Sequence, residues 1–370
     1  MTDSVPLSAP WLGEREEELV LEALRSGRLS LGPMVERFEL ALAQRVGAAR
    51  VAAVSSGTAG LHLAVRLAGV GAGDEVITTP YSFVSSANCI LYEGATPVFV
   101  DVEPRTLNLD PAAVAESVTE RTKAILAVDI FGYPAELDEL RGLAERHGLA
   151  LIEDACEALG AAYRGQPTGS LGHPAVFAFY PNKQLTTGEG GAVAVASDDE
   201  WELLKSLSNQ GRIDSGEWLT HGHVGFNYRL DELSAALGLA QLERLDAILE
   251  LRGEVAARYV ELLGSIDGVE LPAPDDDEHV RSWFVYVVRL ADGIDRDALM
   301  ARLAEEGVAS KPYLPCIHLQ PYWRDRFGTS EGMYPAAEGA SRQTLALPFH
   351  TRLDARDQER VAEALRRALR

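Results

Sequence analysis

Between Arg50 and Val195 the chain alternates short apolar runs with longer amphipathic ones. A strand buried on both faces reads as a continuous apolar run, whereas the helix that returns the chain needs only one apolar stripe, so this succession points to repeated βαβ units. It predicts a largely parallel sheet covered on both faces. The expected strands are Val51–Val54, Glu75–Thr78, Pro97–Val100, Ala124–Val128, Leu149–Ile152, Val176–Phe179 and Ala192–Ala196, with helices from Thr58, Phe83, Pro111, Glu136 and Asp198. A long helical pattern follows from Asp231 to Leu263, read as one helix or as two with a break near Gly253. The acidic, proline-bearing stretch Leu271–Glu278 reads as a surface loop; beyond it Trp283–Leu290 alternates like a strand, and helices follow from about Asp295 and Asp354. The expected architecture is a large α/β domain over residues 1–250, with an N-terminal helical segment, and a smaller C-terminal α+β domain over 251–370.

Charge and cysteine usage narrow the function classes. Against 34 basic residues stand 56 acidic ones, a formal net charge of −22 that repels phosphate backbones, so no nucleic acid partner is expected. Apolar residues at 46% and charged residues at 24% are the proportions of a soluble globular chain. Cys89, Cys156 and Cys316 are widely spaced and odd in number, which gives neither a disulfide framework nor a paired-cysteine zinc site. No metal is expected, and a reducing, cytoplasmic location is. Met1–Val5 lacks the order of a secretory signal, and the longest uncharged segment, Val76–Tyr92, is full of Thr, Ser, Pro and Asn, so no membrane span is expected.

Four segments could carry chemistry. In Val54-Ser55-Ser56-Gly57-Thr58-Ala59-Gly60 a strand runs through small residues into a helix start, where free N–H groups and the helix dipole favour a phosphate; alone, it is also an ordinary N-cap. Leu149–Asp154 is an apolar strand ending in two acids, and in a parallel sheet the carboxyl ends of strands face the ligand, although a solvated strand end looks the same. Phe177–Gly191 places Lys183 between a buried strand and a glycine-rich turn. A partly desolvated amine there is a candidate Schiff-base former, and Lys123, Lys183, Lys205 and Lys311 are the only lysines, so routine surface charge falls to arginine. Gly225-Phe226-Asn227-Tyr228-Arg229-Leu230 is a polar-aromatic run that by itself is a capped loop. Together they describe what pyridoxal 5′-phosphate (PLP) needs: a carboxylate on the pyridine nitrogen, a lysine on the aldehyde and a helix N-terminus on the phosphate.

The strings Ser56-Gly57-Thr58-Ala59, Glu153-Asp154-Ala155-Cys156-Glu157-Ala158-Leu159-Gly160, Phe179-Tyr180-Pro181-Asn182-Lys183 with Thr186–Gly191, and Asn227-Tyr228-Arg229 resemble, in order, the sugar aminotransferases of the DegT/StrS family. The similarity runs from about Pro10 to the C-terminus and includes Ile317-His318-Leu319-Gln320-Pro321. The resemblance implies a PLP-dependent transferase of the aspartate aminotransferase-like fold type I, a homodimer with active sites at the subunit interface. It implies Lys183, Asp154 and Glu157 as catalytic residues, with Lys183 on the cofactor aldehyde and Asp154 on the ring nitrogen. Ser56, Gly57 and Thr58 would hold the phosphate, Asn227 would reach the phosphate of the neighbouring subunit's cofactor, and Phe83 would stack on the ring, a core Phe being the bland alternative.

Three departures stand out. Glu157, where many members have Gln or His, resembles the perosamine-synthase branch; Ala178 replaces a common Ser, removing one hydroxyl from the phosphate site; Lys311 replaces a common Arg. The implied reaction moves the amino group of L-glutamate onto a nucleotide-linked 4-keto-6-deoxy sugar, with Arg212, Arg229, Lys311 and His318 as candidate cations for the diphosphate. Alternatives are an aminotransferase for a cyclitol or aminobenzoate precursor and a non-catalytic PLP-binding regulator. A sugar 3-dehydrase of the same fold carries His in place of the lysine, which Lys183 opposes.

Overall fold

The computed structural model describes residues 4–216 and 218–370. Two helices open the chain, α1 (Glu14–Ser26) and α2 (Pro33–Val46), and β1 (Arg50–Val54) and α3 (Gly57–Leu67) follow. The alternation continues through β2 (Glu75–Thr78), α4 (Ser85–Tyr92), β3 (Thr96–Phe99), α5 (Pro111–Ser117), β4 (Thr122–Val128), α6 (Leu137–His147) and β5 (Ala150–Asp154). A small hairpin, β6 (Ala162–Tyr163) and β7 (Gln166–Pro167), precedes β8 (Ala175–Ala178), β9 (Gly191–Val195) and α7 (Asp198–Ser208).

The large sheet has seven strands in the order β1-β9-β8-β5-β4-β2-β3. Neighbours from β8 through β3 pair in parallel, and β9 alone runs antiparallel, to both β8 and β1. Strand alternation separates two cores. Ala52, Val54, Val176, Val193 and Val195 face α3 and α4, while Val51, Ala53, Phe177, Ala192 and Ala194 face α1 and α2. Burial on both sides is why each of these strands reads as an unbroken apolar run, and each lies within two residues of its expected limits.

The long helical region is two helices, α8 (Glu232–Glu243) and α9 (Leu245–Leu263). The break is at Arg244, not at Gly253, which lies inside α9 with nothing crowding it. A glycine there costs only about 1 kcal/mol in helix propensity. Arg244 is instead held by distant partners, its guanidinium 4.3 Å from the Trp11 ring and paired to Glu16, so tertiary anchoring decides where the helix turns. The first turn of α9 packs on the large sheet through Leu245 and Leu249, and its later turns, through Val255, Tyr259 and Leu263, pack on a second sheet. Residue 250, the expected domain boundary, thus falls inside one helix.

Beyond α9 come β10 (Val269–Glu270), β11 (His279–Val280), β12 (Tyr286–Leu290), α10 (Arg296–Glu305), β13 (Lys311–Pro312), α11 (Pro321–Phe327), α12 (Pro335–Gln343), β14 (Thr344–Leu347) and α13 (Ala355–Ala368). The second sheet has the order β10-β12-β14-β13, and β11 instead joins the β6–β7 hairpin. Among the described residues no helix is long and apolar enough to cross a membrane.

Candidate active site

The strand ends decide where the cleft forms. β1, β5 and β8 all deliver their carboxyl ends to one edge of the sheet, and the turn into antiparallel β9 returns to that edge, so Ser56, Asp154, Lys183 and Gly190 meet although they span much of the chain. They line a cleft of ≈ 470 Å³ together with Gly57, Thr58, Phe83 and Glu157.

At one end the cleft is walled by the start of α3. Ser56 is extended and its hydroxyl accepts the Ala59 N–H at 3.1 Å, an N-cap that leaves the Gly57 and Thr58 amides without intrahelical partners. Backbone comes close here. A Cβ on Gly57 would lie 2.7 Å from Ala178 Cβ and 3.1 Å from Cys156 Sγ, and a Cβ on Gly191 would lie 2.6 Å from the Ser56 carbonyl. The hydroxyls of Thr58 and Ser85 are 2.7 Å apart, so Ser85, from α4, brings a hydroxyl to the end where residue 178 lacks one.

Asp154 ends β5 and is 3% exposed. Ser86 Oγ donates to its Oδ2 at 2.7 Å and the Cys156 amide to its Oδ1 at 3.2 Å. Glu153, one residue earlier on the strand, points the other way and accepts the amides of Gly169 and Gly172 at 2.8 and 3.0 Å. Burial pushes Glu153 up to about 7 and raises the neighbouring Asp129 well above the usual carboxylate range.

Across the cleft, Lys183 Nζ lies 3.3 Å from Glu157 Oε1 and 3.7 Å from the centroid of the Phe284 ring. The other Glu157 oxygen accepts the Phe131 amide at 2.9 Å, which fixes the carboxylate. The lysine backbone is fixed from the far side. The buried Arg252 guanidinium donates to the carbonyls of Lys183, Trp283 and Phe284 at 3.0 to 3.3 Å, and burial brings it down to about 10. Gln184 Nε2 adds bonds to the carbonyls of Glu157 and Ser282 at 2.6 and 3.0 Å.

A family model for the DegT/DnrJ/EryC1/StrS aminotransferases matches residues 10–366. The chain belongs to this family. It is 36% identical over 375 residues to the spore coat polysaccharide biosynthesis protein SpsC of Bacillus subtilis (strain 168), covering 98% of this chain and 96% of that one. Among solved structures it matches S. venezuelae DesV in complex with a ketimine intermediate, with a TM-score of 0.92, 35% identity and 99% of both chains covered. Helicobacter pylori PseC, an aminotransferase involved in the biosynthesis of pseudoaminic acid, gives a TM-score of 0.93 at 28% identity over 99% of both chains.

The family is one of PLP-dependent aminotransferases with the α/β fold described above, and the residues present suit that cofactor. Free amides and close glycine backbone at the start of α3 suit a phosphate, a buried carboxylate suits a ring nitrogen, and a lysine suits an aldehyde. Asn182 Oδ1, buried at the cleft and without a hydrogen-bond partner among the described residues, is a further acceptor. Phe83 precedes α4 and is 60% exposed at the cleft, so it is not a core residue and a ring face is open to a ligand.

Five expected residues lie outside the cleft of this sugar aminotransferase homologue. Asn227 is exposed on the segment bridged to Asn209, and Arg229 donates to Asn209 and Gln210 at 2.7 Å each. Arg229 and Arg212 line a larger hollow of about 1230 Å³ that contains neither Asp154 nor Lys183, so size does not mark the chemical site. Lys311 is exposed on β13, two residues before Tyr313, which does line the cleft. His318 is a correction: it is fully buried, with Nε2 3.1 Å from Glu338, and cannot reach a substrate without unfolding its surroundings. It braces the turn at Ile317–Leu319 against α12.

Sequence reasoning missed Ser82, Ser85, Ser86 and Tyr313. The three serines and one asparagine within Ser82–Asn88 were the available signal for the serines. Tyr313 had none, because it arrives from beyond α10.

Proposed function

We propose that this aminotransferase moves the amino group of L-glutamate onto a nucleotide-linked 4-keto-6-deoxy sugar, in the manner of perosamine synthases. The observation that carries the reading is the Lys183–Glu157 pair at 3.3 Å, facing Asp154 across one cleft. An amine so placed can take and return a proton, and glutamate at this position resembles the perosamine-synthase branch. The similarity to a polysaccharide biosynthesis protein supports a sugar acceptor.

Bound PLP supplies an electron sink that makes a carbon–hydrogen bond next to the amino group acidic. The chain's own residues do the rest. The Gly57 and Thr58 amides, with the positive end of α3, hold the phosphate. The buried Asp154 carboxylate would hold the ring nitrogen. Lys183 would hold the aldehyde, and its Nζ would take a proton from the donor carbon and return it, with Glu157 at 3.3 Å keeping the amine in place. Phe83 would cover one face of the ring and exclude water there.

The same reading makes the enzyme a homodimer in the cytoplasm, with residues 1–250 carrying the cofactor and 251–370 closing over it. Asn227 then serves the phosphate of the neighbouring subunit's cofactor, and Arg229 and Lys311 meet the anionic diphosphate. The test is amination itself: enzyme, glutamate and a panel of nucleotide-linked keto sugars, with product mass and the NMR position of the new amine. A product aminated at C4 of a 6-deoxyhexose supports the reading, whereas amination only of a cyclitol or a 3-keto sugar overturns it. Alanine at Arg229 or Lys311 raises the sugar KM while leaving the glutamate half-reaction near wild type; equal effects on both halves refute those assignments.

A further inference from the structure

The cleft's lysine pairs with Glu157, so among the described residues Asp154 is held by neutral donors. The Ser86 hydroxyl reaches Oδ2 at 2.7 Å, and the Ser82 hydroxyl lies 2.8 Å behind it. Both serines are buried and both line the cleft. A carboxylate only accepts hydrogen bonds, so Ser86 commits its single proton to Asp154. The contact between the serines then has one polarity: Ser82 donates and Ser86 accepts. The nearby buried acids Asp129 and Glu153 are pushed by burial toward their neutral forms, which limits the negative charge set against Asp154.

We propose that Ser82 and Ser86 are positioning residues, a one-way hydroxyl chain that keeps the Asp154 carboxylate an oriented acceptor for the proton on the cofactor's ring nitrogen. The proposal rests on the reading of Asp154 as the partner of that nitrogen, and not on the identity of the sugar. The chain runs from the loop before α4 into its first turn, so it also ties α4 to the end of β5.

The holoenzyme tests it. A hydrogen bond to a charged group is worth about 10- to 100-fold in an equilibrium. In Ser86→Ala the dissociation constant of PLP, read by equilibrium dialysis, therefore rises by about that factor. The ¹⁵N resonance of ring-labelled PLP moves toward that of an unprotonated pyridine. Ser82→Ala, one bond further from the carboxylate, moves both readouts the same way by less. Apoprotein melting temperatures are recorded in parallel. Wild-type values of both readouts in Ser86→Ala overturn the proposal, and so does a lower melting temperature with both unchanged, because that is a packing role. If Ser86→Ala fails to fold, Ser82→Ala decides: an unmoved ring-nitrogen resonance overturns the chain. Asp154→Asn separates the two levels. If it too leaves the resonance unmoved, the reading of Asp154 has failed; if it shifts the resonance and the serine variants do not, the chain alone has failed.

Discussion

Gly57→Ala is the substitution whose consequence the structure fixes most closely. The new Cβ would sit 2.7 Å from Ala178 Cβ and 3.1 Å from Cys156 Sγ, whereas non-bonded carbons settle at about 3.5–4.0 Å. The nearer neighbour, Ala178 Cβ, is fixed directly to the backbone and cannot rotate away. Ala178 ends β8 and is paired to Gly191 on β9, so the first turn of α3 has to move by roughly 1 Å. Overpacking of this kind costs about 1–3 kcal/mol, a fall of a few degrees in melting temperature. The displaced amides also lose register with the phosphate, and one charge-assisted bond lost weakens PLP by about 10-fold or more. Calorimetry of the apoprotein and equilibrium dialysis of PLP measure the two effects. Ala178→Gly removes the obstructing atom, so the double variant regains most of the affinity, a coupling that independent sites do not show. Wild-type melting and PLP affinity in Gly57→Ala, or strictly additive effects in the double variant, refute the cradle geometry.

Three further outcomes follow from the same contacts. Glu157→Gln keeps the shape and the acceptor for the Phe131 amide but removes the charge beside Lys183; the glutamate half-reaction slows by about 10- to 100-fold in stopped-flow absorbance while PLP stays bound. Arg252→Met removes the guanidinium donor from three carbonyls, that of Phe284 in a buried bond and those of Lys183 and Trp283 in part-buried ones, lowering the melting temperature and the rate with glutamate together, and Arg252→Lys recovers part of both. His318 is lowered by burial, against the opposing pull of Glu338, from its ordinary 6.5. A depressed folded value means that its contribution to stability is present above pH ~6.5 and is lost as pH falls through the lower folded value. His318→Gln thus flattens the acid side of a melting-temperature profile and leaves the sugar KM at the wild-type value; a raised KM would return His318 to the substrate site.

What the sequence revealed depends on how local the deciding physics is. Strands such as Ala192–Val195 are buried on both faces, so their own residues carry the signal, and the Asp154 and Lys183 motifs sit directly at strand ends that the fold must bring together. By propensity alone Asp231–Leu263 reads as one helix or as two broken near Gly253, whereas Trp11 and Glu16, far away in the chain, set the break at Arg244. His318 looked like a cation beside a substrate in a motif string, but it is fully buried with Glu338, twenty residues on, as its partner. Ser82 and Ser86 are only four residues apart, but the Ser86 contact with Asp154 and the Phe284 face on Lys183 come from packing between distant segments, which local sequence does not announce.

In the proposed reaction Lys183, 3.3 Å from Glu157 and across the cleft from Asp154, is the residue that carries out PLP-dependent transamination. The most direct measurement adds L-glutamate to PLP-loaded protein and quantifies 2-oxoglutarate per active site alongside the absorbance spectrum. One equivalent of 2-oxoglutarate with loss of the long-wavelength cofactor band is expected in the wild type, and neither in Lys183→Ala. Release of no 2-oxoglutarate by the wild type, or of the same amount by Lys183→Ala, would contradict it.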